Sequence, residues 1–131
     1  MPEREFLNPP DDITTRVRAI CAALPETTEH PSRRGSIFWR IRGGTFAYLD
    51  SVVRNEEVVT ALTFRASGVE LDALLHVGHP FYPGWGGGLS AIVLVDDTDW
   101  DEVAEVLADS YCHLAPKKLA ALVDGGATPR H

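Results

Sequence analysis

Two runs rich in β-branched and aromatic residues, Ser36 to Arg42 and Thr45 to Leu49, flank Gly43-Gly44. The pattern predicts a β-hairpin, because paired glycines supply the positive φ angles that a two-residue turn requires. With the turn at the glycines, Arg42 faces Thr45, Ile41 faces Phe46, Arg40 faces Ala47 and Trp39 faces Tyr48. One face is then aromatic and apolar. The other carries Arg40 and Arg42 and becomes apolar again at Phe38 and Leu49.

Before the hairpin, Ile13, Val17, Ile20, Cys21 and Leu24 recur at helical steps, with Asp11 or Asp12 as cap and Pro25 as stop. Thr27 to His30 reads as a short edge strand. After the hairpin, Val58 to Arg65 alternates, with Thr60, Leu62 and Phe64 on one side and Val59, Ala61, Thr63 and Arg65 on the other. Ser67-Gly-Val-Glu70 has the form of a capping box, predicting a helix to about Val77 that buries Leu71, Leu74 and Leu75. Gly78 to Gly88 holds five glycines, two prolines and three aromatics and reads as a long loop. Leu89 to Val95 suggests a central strand, and a helix capped by Asp99 carries Trp100, Val103, Val106, Leu107, Tyr111 and Leu114 along one side. Pro116 interrupts it, and Leu119 and Leu122 continue an apolar edge. Residues 1–10 form a loose leader, 11–123 a single domain and 124–131 a frayed tail.

A chain of 131 residues builds one core without staples. Cys21 and Cys112 are far apart, and Cys21 sits on an apolar stripe as a small buried hydrophobe. With no secretory segment and no apolar run of membrane-spanning length, the expectation is a cytoplasmic protein with no membrane partner. The formal charge of -7 argues against nonspecific polyanion binding, but it is unevenly spread. Arg33 to Arg65 holds six arginines against three acids, whereas Asp96 to Asp109 holds seven acids and no Lys or Arg. Local patches therefore matter more than the total.

Several motifs that resemble active sites fail on their details. Gly84 to Gly88 lacks the lysine and hydroxyl of a phosphate loop and leads into a strand. Asp97, Asp99 and Asp101 have calcium-loop spacing, but Glu102 and Ala108 stand where glycine and glutamate are needed. His76, His79, Cys112 and His113 lack a second ligand pair at metal spacing. Ser110, near Cys112 and His113, is a small residue packing against the sheet, since helix neighbours point to different faces. No cofactor, metal or enzymatic activity is expected. The arginines carry the chemistry instead: Arg40 and Arg42 project from one sheet face, and Arg65, Thr45 and Thr63 join them there. The competing reading is a solvated face with scattered salt bridges.

The hairpin Ile37 to Ala47, the strand end Leu62-Thr-Phe-Arg-Ala66 and the run Asp109-Ser-Tyr-Cys-His-Leu-Ala-Pro-Lys-Lys-Leu119 resemble the MmcQ/YjbR family of small bacterial proteins. The likeness spans about Asp12 to Leu122. It implies an α+β fold similar to frataxin and to a double-wing DNA-binding domain, with an antiparallel sheet packed by helices on one face in the order α-β-β-β-α-β-α. Arg65, Ser110, Tyr111 and Lys118 match family positions. Gly86-Gly-Gly88 and Leu89-Ser90 depart from the basic residue and tryptophan that many members carry there.

The expected function is DNA binding through Arg33, Arg34, Arg40, Arg42, Arg65, Lys117 and Lys118, which neutralise phosphates rather than read bases. The alternative is a protein-interaction or small-ligand module that uses the same face and the loop aromatics Phe81, Tyr82 and Trp85. DNA and a second protein are the candidate partners.

Overall fold

The computed structural model describes residues 5–32, 35–66, 72–73, 76, 78, 80–84 and 88–126. Alternating sequences become strands β1 (Glu5–Leu7), β2 (Thr28–Pro31), β3 (Ile37–Ile41), β4 (Gly44–Arg54), β5 (Glu57–Arg65), β6 (Phe81–Pro83) and β7 (Leu89–Val93). Helices α1 (Asp11–Ala22), α2 (Trp100–Leu114) and α3 (Lys117–Gly126) accompany them. Six strands lie in the order β2-β3-β4-β5-β7-β6, and β1 pairs with the second half of β4. All pairings are antiparallel, which gives the expected α+β architecture. The edge strands β2 and β6 each end in a proline, Pro31 and Pro83.

The helices bury one face of this sheet. Ile13, Val17 and Cys21 of α1, Val103, Val106, Leu107 and Tyr111 of α2, and Leu119 of α3 share a core with Trp39, Ile41, Leu49, Leu62, Phe64 and Ile92. Phe46 meets Tyr111 edge to face at 5.7 Å between ring centres, a favoured aromatic geometry. The alternation expected along β5 is observed, with Leu62 and Phe64 in the core. Cys21 is fully buried and burial raises its thiol pKa, so it acts as a core side chain.

The hairpin register differs from the expected one. Its turn is Arg42-Gly43, with φ of 51° and 87°, so Gly44 is already a strand residue opposite Ile41. A Cβ on Gly44 would lie 2.9 Å from Leu114 Cδ1, so a side chain there would have to displace the leucine tip where α2 crosses the strand. A β-bulge follows. Arg40 pairs with Thr45 but Trp39 pairs with Ala47, which leaves Phe46 as the extra residue. Phe46 and Ala47 are both buried in consequence. Beyond the bulge Tyr48 pairs with Phe38 rather than Trp39, and Leu49 enters the core. A one-residue offset thus moves Tyr48 to the opposite face.

Smaller corrections have local causes. The leader is not wholly loose, because Glu5–Leu7 pairs with β4. Neither Asp11 nor Asp12 occupies the cap position of α1, which is Pro10, with no side-chain cap; both acids lie in the first turn. The loop from Gly78 contains β6, held on β7. Leu122 points outward at 60% exposure while Leu119 is buried. The tail expected to fray from Asp124 begins as helix, since α3 runs to Gly126. Of the helix expected up to Val77, Asp72, Ala73 and His76 are helical and exposed; the capping box, Leu71, Leu74 and Leu75 lie outside the described residues. Asp99 does cap α2, accepting from the Asp101 and Glu102 amides.

Candidate nucleic-acid interface on the outer sheet face

The face opposite the core is built by the alternate residues of each strand. Arg40 projects from β3, faces Thr45 across the hairpin, and donates from Nη2 to the Gly43 carbonyl. This holds its guanidinium against the turn and leaves Nε buried without an acceptor. Arg65 projects from β5, and its Nε donates to the Thr45 carbonyl at 2.9 Å. The two guanidinium-bearing residues therefore flank Thr45, one on each side of β4.

Arg65 is fixed by its backbone as well. Ser110, fully buried on α2, accepts from the Arg65 amide at 2.8 Å and donates to the Phe46 carbonyl at 2.6 Å. The bulge takes the Phe46 carbonyl out of the regular ladder, and Ser110 bridges the gap. Tyr111 beside it donates to the Pro25 carbonyl at 2.7 Å, tying α2 to the end of α1, and burial raises its phenol pKa. Ser110 and Tyr111 are thus fasteners of the sheet and of the first helix.

The other expected site residues divide. Arg42 is on the turn rather than the sheet face, and its guanidinium pairs with Glu26 at 2.9 Å in an exposed contact. Lys117 and Lys118 are exposed at the start of α3. They follow Leu114, whose side chain abuts Gly44, and so lie at the hairpin end of the molecule. Arg33, Arg34 and Trp85 lie outside the described residues. Phe81 is removed from the loop-aromatic set: it is buried at 5% exposure and packs edge to face on Phe64. Tyr82, the next residue, alternates to the outer face and is half-buried. Among the described residues no group of three metal-ligating side chains gathers, and no helix is long and apolar enough to cross a membrane.

One feature of this face is invisible to the expected register. His30, Phe38 and Tyr48 are cross-strand neighbours on β2, β3 and β4. Their rings stack, with centres 5.1 Å and 6.3 Å apart and planes within 15° and 12° of parallel. The same row continues through Thr63 and Ala91 to Tyr82, crossing all six strands. Thr45, Tyr48, Thr63, Arg65 and Leu89 border a hollow of about 130 Å³ beside it. That is well below the roughly 300 Å³ of a small-ligand pocket, so it has room for one ring rather than a whole ligand.

A family model described as YjbR matches residues 22–113, a span that contains the hairpin, the bulge and Ser110. The chain belongs to the YjbR family. No curated protein and no solved structure gave a match. In this YjbR chain the matched segment holds Arg40, Arg65 and the ring row, while Lys117 and Lys118 lie beyond it.

Proposed function

We propose that this YjbR protein binds DNA through the hairpin end of its outer sheet face, with Arg40 and Arg65 neutralising phosphates. The observation that supports this is the placement of Arg40 and Arg65 on either side of Thr45. Guanidinium forks suit phosphate oxygens, and two of them on neighbouring strands form a local charge concentration.

The formal charge of -7 opposes polyanion binding overall, but part of it lies far from the hairpin end. Helix α2 has 15 residues and so spans roughly 22 Å. Asp99, Asp101 and Glu102 sit at its start, whereas Leu114 at its finish meets the hairpin. That separation is about two Debye lengths at 0.1 M salt, so these acids are largely screened from the arginines.

The test is an anisotropy titration with short labelled DNA, offered single-stranded and as duplex, at low salt. Binding that weakens steeply with added salt and falls strongly in an Arg40→Glu variant is expected. Arg65 is left intact because its side chain also ties the bulge. Absence of binding to either form at low salt rejects the proposal.

A further inference from the structure

The ring row and the arginines form two parallel tracks on one face. Phe38 precedes Arg40 by two residues on β3, and Thr63 precedes Arg65 by two on β5, so the tracks run about 7 Å apart. One track is a stack of rings that ends at Tyr48, and the other offers guanidinium groups. A nucleotide presents the matching pair, a flat base and an anionic phosphate within its own length.

We infer that the DNA recognised by this face is single-stranded, with an unpaired base stacking on Tyr48 at the inner end of the His30, Phe38 and Tyr48 row while the phosphates follow Arg40 and Arg65. The inference rests on the DNA-binding reading and specifies its substrate. Three physical arguments separate a single strand from a duplex.

The first is accessibility. A duplex hides its base faces in the stack and shows only edges in the grooves, whereas unpaired bases can lie against aromatic rings. Phe38 is stacked on one face by His30 and on the other by Tyr48, so the row ends at the half-buried Tyr48 ring. A ring stacked across neighbouring strands turns its second face to the next strand. For Tyr48 this side is occupied by Thr63, a smaller residue, and the 130 Å³ hollow opens there.

The second is size. Six strands at about 4.8 Å spacing make a surface roughly 24 Å wide, twice the width of the roughly 12 Å major groove. The six-strand face as a whole cannot enter that groove, and the described helices α1, α2 and α3 pack on the other side.

The third is charge. Stacking works without a large positive total and tolerates any sequence, because every base has a π-face. A single strand also has a lower charge density than duplex DNA, and so asks less of a chain with a formal charge of -7.

The experiment compares oligothymidylate with a mixed-sequence duplex of equal length by anisotropy at low salt, using the full chain. The single strand is expected to bind at least about tenfold more tightly. Tyr48→Leu, which keeps an apolar side chain but removes the ring, is expected to weaken single-strand binding about tenfold, the effect of losing one stacked base. Tyr48→Phe restores the ring and is expected to keep the affinity, so a fold defect is distinguishable from loss of stacking; a thermal melt by circular dichroism checks both variants. Duplex binding equal to or tighter than single-strand binding overturns the inference while leaving DNA binding standing. Unchanged single-strand affinity in a folded Tyr48→Leu protein overturns it as well. Failure of both DNA forms instead removes the DNA-binding reading on which it rests.

Discussion

Ser110 donates its hydroxyl hydrogen to the carbonyl of Phe46 at 2.6 Å, across 64 residues of sequence. The same oxygen accepts the Arg65 amide, so one small side chain satisfies two backbone groups that the bulge leaves without ladder partners. Ser110→Ala removes both partners at a fully buried site. An unfolding free energy lower by about 1–3 kcal/mol is expected, measured by urea denaturation. A loss under about 0.5 kcal/mol would mean that the bulge is satisfied in another way.

Ser51 and Thr60 share a buried hydroxyl contact of 2.6 Å between β4 and β5. Thr60→Val alone strands the Ser51 hydroxyl and is expected to destabilise by roughly 1–3 kcal/mol. The Ser51→Ala, Thr60→Val double variant is expected to cost clearly less than the sum of the single variants, because no hydroxyl is then left unpaired. Additive single losses in a denaturation cycle would contradict this coupling.

Glu29 receives both Nε and Nη2 of Arg18 and, more weakly, Trp39 Nε1 at 3.2 Å. The Arg18 hydrogen bonds hold its carboxyl below the usual carboxylate range. A depressed folded pKa contributes stability above the unfolded value of about 4.3, and that contribution drains away as pH falls through the lower folded value. Melting temperatures of the wild type and Glu29→Gln should therefore differ most near neutral pH and converge in acid. Both partners are substantially exposed, so the difference is expected to be small and to shrink with salt. A constant difference across pH would assign the effect to packing.

Glu26 neutralises Arg42 at the hairpin turn. If DNA approaches this end, Glu26→Gln releases a cation toward it. Affinity at low salt is expected to rise severalfold, and the salt dependence to steepen by about one phosphate contact. Unchanged affinity and slope would place Arg42 outside the contact surface.

Two glycines meet their neighbours differently. A Cβ on Gly84 would lie 2.7 Å from Leu89 Cβ and 2.9 Å from the Leu89 backbone carbon, whereas one on Gly44 meets only the Leu114 side chain. Backbone yields less readily than a half-buried leucine tip. Gly84→Ala is expected to lower the melting temperature by several degrees more than Gly44→Ala, read by circular dichroism; the reverse order would contradict the packing assigned to these turns.

Much of the fold was legible where the pattern is local. The Ile13, Val17, Cys21 stripe and the Thr60, Leu62, Phe64 alternation name their buried faces correctly, because period alone determines them. The hairpin was legible as an element but not in register. Its bulge is tied to Ser110, on a helix far along the chain, so no pattern near Gly43 carries that information. The expected site fared in the same way. Arg40 and Arg65 share a face as their alternation indicates, while Arg42 is diverted to Glu26 and Phe81 to the core by contacts that only the assembled molecule creates. The ring row was hidden because the expected register put Tyr48 opposite Trp39 on the wrong side of the sheet.

The prolines that end β2 and β6 bear on how copies of this molecule behave in crowded solution. Pro31 and Pro83 each delete a backbone donor at an outer rail of the six-strand row, and a strand arriving from a neighbouring copy would find the hydrogen-bond ladder interrupted there. Mutual repulsion between chains of charge -7 acts in the same direction. Fibrous growth by sheet extension is thereby discouraged at both rails, and the broad face can stay exposed to a ligand without the sheet's margins becoming sticky.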